Sequence, residues 1–281
     1  MALKAGILLF TLFVGCLAIP TPASDDVSQF FDNTDPQGRI VGGTVAAEGA
    51  HPHMVAMSTG IMVRNFVCGG SVIAPRTVLT AAHCIAAVFS FGSLSSSLRV
   101  TVGTNRWNQG GVSLSLSGNA THEHYVSQTI KNDVGLLFTS TPIQYTNRIQ
   151  PITVSYDYAG AGIQSRAAGW GRIRAGGPIS AQLLELTVTT ISGEQCVRDV
   201  ARASVELNVR APPIEPHIEL CIIHSPNHGM CNGDSGSALV RVDQGTQIGV
   251  VSWGFPCARG APDMFVRVSA FQDWIVSRTR A

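Results

Sequence analysis

Leu184-Glu185-Leu186-Thr187-Val188-Thr189 alternates apolar and polar side chains with a period of two, which predicts a strand with one face buried and one wet. Downstream, Ile248 to Trp253 is a continuous apolar run of strand length. Short runs of the same kind, punctuated by glycine, serine and asparagine, recur through the body of the chain. The tail changes period. Phe271, Trp274 and Ile275 fall on one helical face, behind a Ser269–Gln272 pair spaced as a capping box. Many short strands closed by one final helix predict an all-β protein.

The 281 residues allow one or two domains, and at 45% hydrophobic and 13% charged they have ample material for a core. A formal net charge of +1, with no basic stripe and no acidic run, gives no electrostatic reason to expect nucleic acid as a partner. Lys4 followed by the apolar stretch Gly6 to Leu17, ending at Ala18, reads as a signal peptide over residues 1–18. That stretch is too short for a membrane anchor, and no later one reaches about 18 apolar residues, so the expectation is a soluble, secreted, extracellular protein. Residues 19–39 are polar, with Pro20, Pro22, Asp25, Asp26, Asp32 and Asp35 and no apolar period, and read as a flexible leader. Past the signal, Cys68, Cys84, Cys196, Cys221, Cys231 and Cys257 form an even set, which in an exported chain favours disulfides. Counting alone leaves their pairing open. No CxxC pair occurs, which argues against a zinc ribbon.

Chemistry concentrates at three places. In Gly233-Asp234-Ser235-Gly236 the serine hydroxyl is a nucleophile once a base takes its proton, and the glycines let backbone N–H groups approach a substrate carbonyl. His83, in Thr80-Ala81-Ala82-His83-Cys84, is the candidate base. Asp133, in Asn132-Asp133-Val134-Gly135-Leu136-Leu137, precedes an apolar run that would bury it, so it needs a partner, and an imidazole provides one.

Ile40-Val41-Gly42-Gly43, Ala81-Ala82-His83-Cys84, Asn132 to Leu137, Gly169-Trp170-Gly171, Gly233 to Gly236 and Ser252-Trp253-Gly254 follow one another in this order. Together they resemble the chymotrypsin and trypsin family of secreted serine proteases, from Ile40 to the C-terminal helix. The resemblance implies two packed six-stranded antiparallel β-barrels with a C-terminal α-helix. The protease domain would span 40–281, with a first barrel over about 40–150, a second over about 151–268 and the helix over about 269–279. It implies His83 as general base and then acid, Asp133 as its orienting partner, Ser235 as nucleophile, and the N–H groups of Gly233 and Ser235 as oxyanion hole. Ser252, Trp253 and Gly254 would pair with the substrate backbone as an added strand. By the same analogy the disulfides are Cys68–Cys84, Cys196–Cys221 and Cys231–Cys257, and neither metal nor cofactor is required. His122-Glu123-His124 matches no known metal spacing.

Activation follows from the same likeness. A trypsin-like protease would cut after Arg39, and the freed amine of Ile40 would fold inward to pair with Asp234 beside the nucleophile. Protein protease inhibitors are further expected partners, and the default state is a monomer. Trypsin-like members carry an aspartate six residues before the nucleophile; here Gly229 stands there, while Asp263 falls where most relatives have glycine on the opposite pocket wall. This resembles some crab and insect collagenolytic proteases. If Asp263 points into the pocket it attracts basic side chains as well as tolerating apolar ones; if it turns away, Gly229 leaves a roomy apolar pocket. The reading favours chymotrypsin-like or broad cleavage in a digestive role, with a catalytically silent binding or immune protein, or a protease preferring basic side chains through Asp263, as the alternatives. Ser237, in place of the commoner glycine, is expected to cost little. Lys131 is the single lysine after the leader, which fits work in an alkaline fluid, since lysine loses its charge near about pH 10.4. Asn119-Ala120-Thr121 is a glycosylation sequon.

Overall fold

A computed structural model describes residues 37–38, 40, 42–255 and 257–281. The signal peptide, the leader up to residue 36 and Arg39 lie outside the described residues. Two antiparallel sheets carry the fold. The first comprises β1 (Met54–Thr59), β2 (Asn65–Ala74), β3 (Thr77–Thr80), β4 (Arg99–Val102), β5 (Val112–Leu114), β6 (Leu116–Thr121) and β7 (Gly135–Thr139), in the order β6-β7-β3-β2-β1-β4-β5. Its two edges, β5 and β6, are consecutive in the chain with only Ser115 between them. One bent strand therefore carries the chain from one edge of the curled sheet to the other, as corner strands do in orthogonally packed β-structures.

The second sheet comprises β8 (Gln164–Gly169), β9 (Leu184–Ile191), β10 (Glu219–Ile223), β11 (Ala238–Arg241), β12 (Thr246–Gly254) and β13 (Asp263–Arg267), in the order β8-β11-β12-β13-β10-β9, with the two-residue strand Thr44–Val45 added beside β9. Pairing of β9 back onto β8, from Gln164 opposite Thr189 to Gly169 opposite Leu184, closes these six strands into a barrel. The all-β expectation is met.

Strand patterns explain where each core sits. On β9, Leu184, Leu186 and Val188 are buried while Thr187 and Thr189 are exposed, so the alternation marks the barrel wall. On β12, every residue from Gln247 to Trp253 is buried. Its apolar run has no wet face because Val250 joins the core of the first sheet, while Ile248 and Val251 join that of the second. β12 is thus buried on both faces, which is what a run without alternation demands.

Among the described residues two helices besides the C-terminal one appear, and neither is among the elements predicted from the sequence. Helix α1 (Ala82–Ala86) directly follows β3. Helix α2 (Gly193–Glu206) starts at Ser192, whose side chain accepts a hydrogen bond from the Gln195 N–H, and Cys196–Cys221 ties it to β10. The tail corrects one detail. Val268–Phe271 is a 3₁₀ turn, and α3 (Gln272–Arg278) begins without a side-chain cap, so the Ser269 capping box does not form. Val268 and Phe271 are both buried, and a three-residue repeat brings them to one side, which suits 3₁₀ geometry. Phe271, Trp274 and Ile275 do share a face, and it packs on the core of the first sheet.

Candidate active site

His83 enters the site because β3 ends at Thr80 and α1 turns the chain at once. Cys68–Cys84 fastens that helix to β2. The buried carboxylate of Asp133 meets His83 twice: Oδ1 accepts from the backbone N–H at 2.8 Å, and Oδ2 lies 2.8 Å from ring Nδ1. Ser252 Oγ donates to the same Oδ2 at 2.6 Å. A buried carboxylate needs such donors. Because a carboxylate only accepts, Nδ1 carries the proton in this pair and neutral His83 keeps its lone pair on Nε2.

Ser235 sits on a turn fixed by backbone bonds: Asp234 N–H to Cys231 O at 3.0 Å, Ser237 N–H to Asp234 O at 3.1 Å and Gly236 N–H to Val251 O at 2.8 Å. Its own carbonyl accepts from Gly69 N–H at 2.8 Å, so the first sheet holds the turn as well. Gly233 and Gly236 adopt φ of 97° and 81°, and a Cβ at Gly236 would lie 2.4 Å from Gly69 O, so the turn requires glycine there. His83, Gly233 and Ser235 line one open cleft of about 840 Å³ with Phe66, Tyr125 and the Cys68 side of the disulfide. The sulfurs of Cys68 and Cys84 are bonded to each other and offer no thiolate to a metal.

Asp234 is fully buried, its oxygens accepting from Gly171 N–H at 2.8 Å and Cys231 N–H at 3.0 Å. Gly169 and Gly171 make room for it, since a Cβ would fall 2.2 Å and 2.4 Å from its carboxylate atoms. Burial pushes its pKa up to about 7 against those two hydrogen bonds. Ile40 is fully buried in the core of the second barrel. Ser237 is also buried, and its hydroxyl has no hydrogen-bond partner among the described residues, so this serine costs more than the sequence suggested.

Asp263 lies at 4% exposure between the two glycines that flank it: a Cβ at Gly229 would be 2.8 Å from Oδ2, and one at Gly254 2.6 Å from Oδ1. Oδ2 accepts from Met230 N–H at 2.8 Å. The residue lines a small pocket with Met230, Ser235, Ser252, Trp253 and Gly254. Burial pushes its pKa up to about 7, and the charge of Asp234 acts in the same direction. Cys231–Cys257 closes the pocket loop.

His122-Glu123-His124 serves packing. His122 lies edge-on to Phe271, and Glu123 accepts from the Trp274 indole at 2.7 Å, which fastens α3. Sequence reading missed one buried pair near the site, Lys131 with Glu219 at 2.8 Å. Its signal was present in each half: a single lysine beside Asp133, and an acid opening the apolar run Glu219-Leu220-Cys221-Ile222-Ile223.

A family model described as Trypsin matches residues 40–275. Chymotrypsin-2 of Vespa crabro is 34% identical over 237 residues, covering 84% of this chain and 98% of the relative. Trypsin alpha-4 of Lucilia cuprina is 31% identical over 241 residues, with 85% and 87% covered. Serine protease SP24D of Anopheles gambiae is 35% identical over 246 residues, with 86% and 82% covered. The chain is a serine endopeptidase acting on polypeptides. It belongs to the trypsin family.

Proposed function

We propose that the chain is a secreted zymogen, cut after Arg39, in which Ser235 is the nucleophile, His83 the general base and acid, and Asp133 its orienting partner. The observation that carries this reading is the Asp133 carboxylate, which holds Nδ1 and the backbone N–H of His83 while Ser252 bonds its Oδ2. Nε2 is then the atom that takes the Ser235 hydroxyl proton as Oγ bonds to the scissile carbonyl carbon. The carbonyl oxygen becomes an oxyanion met by the N–H groups of Gly233 and Ser235. Collapse breaks the C–N bond, His83 returns the proton to the leaving amine, and water releases the acyl group by the same route. The substrate backbone joins Ser252–Gly254 at the end of β12.

Asp263, between Gly229 and Gly254, gives the primary pocket one acid on a mixed lining that includes Met230, Val251, Trp253 and Phe255. This supports broad cleavage that accepts apolar and basic side chains, in keeping with digestion. The signal-like residues 1–18 and three disulfides support secretion. A trypsin-like protease supplies the activating cut, and protein inhibitors that fill the cleft are natural partners.

The test is a fluorogenic peptide panel varying the residue before the cut, with trypsin-activated protein and a Ser235→Ala control. Wild type should cleave apolar and basic members, and Ser235→Ala should lose roughly a thousandfold or more in kcat. Equal activity of the two proteins would refute the assignment of Ser235.

A further inference from the structure

Lys131 and Glu219 face each other from different halves of the molecule. Both side chains are buried, and Lys131 Nζ lies 2.8 Å from Glu219 Oε1. The indole N–H of Trp253 donates to the same Oε1 at 2.8 Å, and Lys131 Nζ stands 5.4 Å from the Trp253 ring centroid. Glu219 is itself held at three points: Oε2 accepts from Glu215 N–H at 2.7 Å, its carbonyl accepts from Arg267 at 3.1 Å, and β10 fixes its backbone.

Lys131 also closes a loop. Val126 N–H donates to Lys131 O at 3.0 Å, and Lys131 N–H to Val126 O at 3.2 Å. Its neighbours Ile130 and Asn132 both adopt φ of 53°, a region that L side chains disfavour, so the chain is bent at both positions to send Lys131 inward. Between His122 and Lys131 this loop contributes Tyr125, Ser127 and Gln128 to the cleft shared with His83 and Ser235. Trp253 lines the neighbouring pocket with Ser235.

We propose that Lys131 and Glu219 are a positioning pair that ties two walls together, the 122–131 loop of the cleft and Trp253 of the primary pocket, so that substrate residues reaching the loop are held in register with the one in the pocket. A buried ion pair adds little stability over an apolar pair of the same volume. It does add direction: one carboxylate oxygen receives both the ammonium and the indole N–H, so neither wall shifts without the other. The proposal rests on reading Ser252–Gly254 as the strand that the substrate joins.

The experiment compares two esters with the same leaving group and the same residue before the cut, one a single acylated residue and one a tetrapeptide. Glu219→Leu, alone and combined with Lys131→Met, should lower kcat/KM on the tetrapeptide by about 10-fold to 100-fold, mainly through KM. The single-residue ester should lose several-fold less, because it leaves the loop wall empty and meets only Trp253, whose backbone is held in β12. Glu219→Gln keeps an acceptor oxygen for the indole and the ammonium, and should retain most of the tetrapeptide preference. Hydrogen exchange over 122–133 and 246–254 should rise together in Glu219→Leu. Parallel losses on both esters that track a fall in Tm, or no change on either, would overturn the positioning role. If Glu219→Leu does not fold, a Glu219→Gln protein with wild-type Tm and no tetrapeptide preference would overturn it too. A wild type that turns over the tetrapeptide no better than the single residue would instead remove the reading of Ser252–Gly254.

Discussion

Asp263 keeps its carboxylate between Gly229 and Gly254, against the Met230 N–H and 4% exposed. Burial pushes its pKa up to about 7 from an ordinary 3.8. On the proposed reading of this pocket, the neutral acid below that value would suit apolar side chains, and the anion above it would attract guanidinium and ammonium groups. The ratio of kcat/KM for an arginine substrate over a leucine substrate should therefore rise as pH climbs through about 7. Asp263→Asn should flatten this rise and lower the ratio, read from initial rates between pH 5 and 9. A ratio unchanged across that range would sink the prediction. His83, Asp133 and Ser235 were legible because each lies in a short local context whose chemistry is self-contained. The orientation of Asp263 was not, since two separate backbone segments, Gly229-Met230 and the one around Gly254, decide it.

Element by element, the strands were the readable part. β9 and β12 announce themselves because period two, or its absence, reflects how many faces are buried. Helix α2 carries its signal more faintly: among its 14 residues the buried Cys196, Val200 and Ala203 do recur at i, i+4 and i+7, but this one-sided stripe is made of small side chains and is easily passed over. Its start rests on the Ser192 cap. Ser192→Ala should cost about 1 kcal/mol, lowering Tm by about 2–4 °C by calorimetry. Because α2 contributes nothing to the lining of the cleft, kcat/KM should stay at the wild-type value. A matching loss of activity at temperatures well below Tm would show that α2 reaches the site. The tail makes a related point. Ser269 and Gln272 have the spacing of a capping box, yet burial of Val268 and Phe271 together turns that stretch into 3₁₀ geometry.

For the molecule as a whole, the decisive group is Asp234. Among the described residues its carboxylate is met by backbone N–H groups of Gly171 and Cys231, and burial lifts its pKa to about 7. A raised carboxyl pKa contributes stability that is full below the unfolded value and is lost as pH rises through the folded one. The uncut chain should therefore lose stability as pH rises from 5 to 7.5. On the proposed activation, a cut after Arg39 would free the Ile40 amine to supply a cation to the Asp234 anion, and this part of the loss should then vanish. Asp263 is common to both forms, and because the Asp234 charge raises its pKa, pairing of Asp234 with the amine moves the Asp263 share of the difference in the same direction. Scanning calorimetry should show the Tm of cut protein minus that of uncut protein growing between pH 5 and 7.5. A difference independent of pH would separate Asp234 from activation.

By itself the sequence determined what is local: the strand periods, the C-terminal apolar face, the Gly233–Gly236 turn, the histidine and aspartate proposed as base and partner, and an even set of cysteines. Those features depend on neighbours a few residues apart, and their physical signature is written along the chain. Tertiary structure alone decided which groups meet across it. His83 reaches Asp133 over 50 positions, Lys131 reaches Glu219 over 88, and Ser252 reaches Asp133 over 119. It also decided which acids are buried deeply enough to sit near neutrality at pH 7. Burial belongs to a position in the packed molecule, set by the pairing of distant strands, and no local stretch of residues carries that information.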